Sequence, residues 1–97
     1  MNIGVCKIDV RIPENETLKG KRMVLRSILA RVQDKFHCSV AEVDNGDMWQ
    51  IATIGVCVVS NENRHTNEMK SHIVEFIETT RLDVEIIHCE TEFLSVF

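Results

Sequence analysis

Two segments with apolar residues at helical spacing, each set between segments that alternate apolar and polar residues, predict an α+β fold in two layers. An Asn45-Gly46 pair between two extended runs supplies the third observation, because Asn-Gly is a strong short-range hairpin signal.

The first extended run is Ile3 to Ile12, where Cys6, Ile8, Val10 and Ile12 alternate with Lys7, Asp9 and Arg11. Period two of this kind marks a strand with one buried face. Pro13 lacks an amide donor and ends it. Thr17 is then a suitable helix N-cap, and Leu18, Leu25, Ile28, Leu29, Val32 and Phe36 recur at helical spacing as far as Phe36.

Cys38 to Asp44 reads as a short strand and Trp49 to Ser60 as a longer one, joined by a tight turn at Asn45-Gly46. Ile51 to Val59 is apolar on both faces, as expected of a central strand. A second helix, capped by Ser60 or Asn61, follows with Met69, Ile73, Phe76 and Ile77 as its stripe and ends near Thr80. Alternation returns from Leu82 to Phe97. Ile87 and Cys89 break its phase and predict a bulge or a switch of face, and Glu85, Glu90 and Glu92 suit an edge strand.

The order strand, helix, strand, strand, helix, strand predicts a ferredoxin-like βαββαβ sandwich: a four-stranded antiparallel sheet with both helices on one face. The 97 residues fit one domain spanning residues 1–97. The longest apolar run, Ile54 to Val59, is far short of the roughly 20 residues that a membrane-spanning helix needs. Lys7, Asp9 and Arg11 interrupt the apolar stretch that a signal peptide would require, so the expected compartment is the cytoplasm, with no membrane partner. Cys6, Cys38, Cys57 and Cys89 stand far apart in apolar segments and match no zinc or redox spacing, which predicts free thiols.

The net charge of −4 is unevenly divided. Leu18 to His37 carries Lys19, Lys21, Arg22, Arg26, Arg31 and Lys35 against Asp34 alone, a net of +5, and the remainder carries a net of −9. Lys19, Arg22 and Arg26 share one flank of the first helix, with Arg31 and Lys35 on the other. Such a band favours a phosphate backbone through counterion release, although Lys and Arg also serve simply to solvate a helix. Base stacking on the sheet would need aromatic residues along its central strands. The outward set Ile3, Val5, Lys7, Asp9 and Arg11 holds none, and the chain has no Tyr. A lone Trp49 beside Asp44, Asp47 and Gln50 is either a turn anchor or an interaction point.

His65, Glu68 and His72 share a helix face, but the two histidines are roughly 10 Å apart, too far for one metal's ligand shell. No paired nucleophile and base, glycine-rich phosphate loop or carboxylate pair is legible. The expectation is a noncatalytic protein with no cofactor and no metal site.

The run Thr17-Leu18-Lys19-Gly20-Lys21-Arg22-Met23-Val24-Leu25-Arg26-Ser27 is followed by Ser39-Val40-Ala41-Glu42-Val43-Asp44 and by Asp47-Met48-Trp49-Gln50. With Ile54-Gly55-Val56 and Val58-Val59-Ser60-Asn61, these segments resemble the YlxP-like proteins, a bacterial domain-of-unknown-function family, over nearly the whole chain. Gly20 stands where relatives usually carry a polar or charged residue. The resemblance implies a ferredoxin-like fold, and a gene neighbourhood that in some bacteria includes translation initiation and ribosome-maturation factors.

Charge and resemblance together predict an accessory protein that meets structured RNA or a ribosomal particle through Lys19, Lys21, Arg22 and Arg26, with Asp44, Asp47 and Trp49 as further interaction residues. The alternative is a homodimer, or a small-ligand module, using an open sheet face whose apolar residues Ile3, Val5 and Val59 two helices on the other side leave uncovered.

Overall fold

The computed structural model describes residues 1–97. Its elements run β1 (Asn2–Arg11), α1 (Leu18–Phe36), β2 (Ser39–Asp44), β3 (Ile51–Ser60), α2 (Asn63–Thr80) and β4 (Glu85–Ser95). The strands form one antiparallel sheet in the order β2-β3-β1-β4, and both helices cover the same face. This is the ferredoxin-like sandwich predicted from periodicity. No helix is long and apolar enough to cross a membrane.

The alternation in β1 decides which face is covered. Cys6, Ile8, Val10 and Ile12 enter the core together with Ala52, Ile54 and Val56 of β3, their neighbours across the pair. Leu25, Ile28 and Val32 of α1 and Ile73 and Ile77 of α2 close over them. At roughly 25 cal/mol per Å² of apolar surface removed from water, this layer is the main favourable term in folding.

Thr17 caps α1 as predicted, its hydroxyl accepting the Gly20 amide at 2.9 Å. His37, at φ 51°, ends the helix in the left-handed region. At α2 the cap differs from expectation. Glu62 occupies the N-cap without a side-chain bond, and Ser60 instead closes a turn by accepting the Glu62 amide at 3.1 Å.

The Asn-Gly turn also differs. β3 begins at Ile51, not Trp49, leaving a six-residue loop from Asn45 to Gln50. A two-residue type I′ turn needs positive φ at both central positions, whereas Asn45 has φ 61° and Gly46 does not share that sign. The Met48 amide reaches the Asn45 carbonyl at 3.1 Å, so the reversal spans Asn45 to Met48.

β4 is an edge strand, and the predicted break in phase is a bulge. Asp9 pairs with His88 and Val10 with Ile86, leaving Ile87 as the extra residue. On the open face Lys7 lies 3.8 Å from Glu90, and Arg11 lies 2.8 Å from Glu85. A hydrogen bond from His88, with Lys7 nearby, holds the Glu90 carboxyl below its usual range.

All four cysteines are free, and the Cys6 and Cys89 sulfurs lie 3.4 Å apart between β1 and β4. Burial, reinforced by Cys89, pushes the Cys6 thiol from 9.0 up to about 12. The folded state therefore holds a proton that the unfolded chain releases above pH 9. This contribution to stability is complete below about pH 9 and is lost as pH rises toward 12. Burial also raises Cys38. Iodoacetamide at pH 8 is expected to label exposed Cys57 quickly and Cys6 and Cys38 only after unfolding, as read by peptide mass mapping. Equal rates at Cys6 and Cys57 would contradict this burial.

Candidate nucleic-acid interface

Lys19, Arg22 and Arg26 are exposed on α1, and none has a carboxylate within 4.0 Å. Their flank can be placed. Gly20, Met23 and Val24 line a groove with Arg81 and Asp83, just beyond the end of α2. At about 100° per residue, Arg22 and Arg26 fall on the other side of the buried stripe, toward β2. Lys35, on the α2 side, is already committed, with its ammonium 4.7 Å from the centre of the Phe76 ring.

Lys21 corrects the sequence-based expectation. It is 1% exposed and cannot meet a polyanion. It lies in phase with Leu25, Ile28 and Val32, so the helix turns it inward with the apolar stripe. Its ammonium donates to the carbonyls of Asn45 at 2.7 Å, Ile51 at 3.1 Å and Gly46 at 3.4 Å. Glu42, one register step along β2 on the helix-covered face, supplies an ion pair at 3.0 Å. A buried charge is tolerable only when paired and hydrogen-bonded, and this one is.

The same loop is tied at its other end. The Asn15 amide donates to the Trp49 carbonyl at 2.5 Å, Gln50 donates to the Asn15 carbonyl at 3.0 Å, and the Ile12 amide reaches the Gln50 carbonyl at 2.7 Å. Asn45 adds a side-chain bond to Thr53 at 2.8 Å, and Thr53 donates to Asp9 at 2.6 Å. Gly20 has its explanation here, because a Cβ would stand 2.2 Å from the Asn15 oxygen.

Asp44, predicted as an interaction residue, accepts the Asn45 amide at 2.7 Å and so shapes the loop. Asp47 and Trp49 are exposed on it, the indole at 55%. With Arg11, Met48, Gln50 and Ile51 they line a cleft of about 500 Å³. Arg11 and Ile51 point from the face of the sheet that the helices leave open, so the structure puts Trp49 around the end of the sheet from the basic flank. Asn15 escaped the sequence reading altogether, since nothing in its surroundings marks a partner 34 residues away.

The chain matches the family described as "Protein of unknown function (DUF503)" over residues 3–91. It is 35% identical over 77 residues to "Uncharacterized protein YlxP" of Bacillus subtilis (strain 168), an alignment covering 79% of this chain and 84% of that relative. Lys21, Asn45 and Trp49, which organise the loop, all lie inside the family match. The chain therefore belongs to the DUF503 family of proteins of unknown function.

Proposed function

We propose that this protein is a noncatalytic accessory factor that binds the phosphate backbone of RNA, free or in a ribosomal particle, through Lys19, Arg22 and Arg26. The observation carrying this reading is that three exposed cations on one helix flank have no carboxylate partner. Their position adds weight. α1 has no acidic residue in its first turn, so its positive dipole end reinforces Lys19 and Arg22 instead of being neutralised. That arrangement disfavours the helix and favours an incoming anion.

The open sheet face offers the second reading, a homodimer. Val59, Ile3 and Leu94 form an apolar row across three strands. The same face carries Asp9, Asp44, Glu85, Glu90 and Glu92 against Lys7 and Arg11, so two copies would set like charges together. Phosphate binding is the stronger reading.

Binding of a fluorescent RNA oligonucleotide should weaken with salt. Three phosphate contacts imply a loss of about 20-fold between 50 and 200 mM monovalent salt for a single strand. The variant Lys19→Glu/Arg22→Glu/Arg26→Glu changes only exposed side chains and should fold normally while losing both the affinity and the salt dependence. Wild-type affinity in that variant would refute the assignment.

A further inference from the structure

We infer that Trp49 is a stacking platform for an unpaired base, and hence that the RNA bound by this chain is single-stranded where it meets the protein. The inference rests on the phosphate-binding reading and narrows its substrate.

The first support is the way the loop is built. An indole that merely anchors a turn is expected to be covered, yet Trp49 is more than half exposed. The backbone that carries it is held at both ends. Lys21 takes three carbonyls, Asn45 is tied through its side chain to Thr53, and the Trp49 and Gln50 carbonyls are bound by Asn15 and Ile12. Burying an ammonium is a costly way to secure a surface loop. It makes sense where the loop must present its side chain in a fixed place, because a preorganised aromatic loses little freedom when its ligand arrives.

The second support is the placement of the indole. Lys19, Arg22 and Arg26 lie on the helix-covered side of the sheet, whereas Trp49 shares its cleft with Arg11 and Ile51 of the open face. A rigid A-form duplex lying along the basic flank cannot also turn the end of the sheet. A flexible single strand can. Its phosphates would follow α1, and one base would reach the cleft of about 500 Å³, which Asp47 and Gln50 also line.

The strands themselves cannot take this part. No Phe, Tyr or Trp side chain lies on the open face, since Phe93 pairs with Gly4 and so shares the covered face, while His88, the one ring on the open face, is engaged by Glu90 at 2.8 Å; Trp49 is the one indole in the chain. With no Tyr present, the intrinsic fluorescence of the protein reports almost entirely on this residue.

The test titrates the full chain with a 12-nucleotide oligoadenylate and, separately, with a blunt RNA duplex of equal length. Trp49 emission is followed directly, and affinity is read by anisotropy of an end-labelled strand. Oligoadenylate is expected to quench the indole and to bind more tightly than the duplex. Trp49→Ala should weaken oligoadenylate binding about tenfold or more, and Trp49→Phe should restore most of it. The salt slope of Trp49→Ala should stay that of the wild type, since no phosphate contact is lost.

The two readings fail differently. Salt-dependent binding that Lys19→Glu/Arg22→Glu/Arg26→Glu abolishes, with the indole unmoved and Trp49→Ala at wild-type affinity, overturns base stacking and leaves backbone binding in place. Tighter binding of the duplex overturns it as well. Absence of RNA binding at low salt overturns both, and turns Trp49 into a candidate anchor for a protein.

Discussion

Lys21→Met is expected to lose about 3 to 5 kcal/mol of folding stability, the usual result of removing one partner from a buried ion pair. The methionine fills the space but leaves Glu42 without its cation and the carbonyls of Asn45, Gly46 and Ile51 without their shared donor. For a domain of this size the loss corresponds to a fall in Tm of at least about 12 °C. Urea unfolding of the wild type, Lys21→Met and Lys21→Met/Glu42→Leu measures it. The double variant should recover part of the loss by removing the stranded carboxylate, but not all of it, because the three carbonyls stay unpaired. A single variant within about 1 kcal/mol of wild type would show that the ammonium does not organise this loop.

Gly4→Val is expected to destabilise by about 3 kcal/mol, through overpacking between β1 and α2. A Cβ at Gly4 would stand 1.8 Å from the Thr66 methyl and 2.8 Å from its Cβ. Thr66 is itself only 4% exposed, and its backbone belongs to a helix packed on the sheet, so it cannot step aside. Its hydroxyl is buried with no partner, which makes Thr66→Ala nearly neutral on its own. The cycle of Gly4→Ala, Thr66→Ala and the pair should then show favourable coupling, since Thr66→Ala removes the methyl at 1.8 Å and the hydroxyl at 3.0 Å from the new methyl at position 4 and leaves only the Cβ at 2.8 Å to be accommodated. A Gly4→Val protein as stable as wild type, as its higher strand propensity alone would suggest, would mean that α2 does not sit as close to β1 as the structure has it.

Elements whose signal lies in their own neighbours were legible. The alternation of Cys6, Ile8, Val10 and Ile12 names the buried face of β1 without knowledge of what covers it. Thr17 followed by a helical apolar stripe sets the start of α1, and the last apolar residue of that stripe, Phe36, lies in its final turn. The broken phase at Ile87 foretold the bulge that β4 carries. The flank of Lys19, Arg22 and Arg26 follows from helical geometry in the same way.

Elements decided by a distant partner were not legible. Asn45-Gly46 has the local chemistry of a tight hairpin, yet Lys21, 24 residues earlier, captures the Asn45 carbonyl and the loop opens to six residues. Trp49, expected as the start of a strand, becomes an exposed residue of that loop. Lys21 shows where the boundary lies. Its phase with Leu25, Ile28 and Val32 placed it on the buried stripe, but its charge argued for solvent, and only the tertiary structure supplied Glu42 and three carbonyls to satisfy it. Sequence alone thus determined the fold class, the strand faces and the basic flank, because periodicity and capping act over one or two turns of chain. Which cations stay exposed and unpaired, and where the single indole stands, depended on hydrogen bonds and ion pairs between segments that only folding brings together.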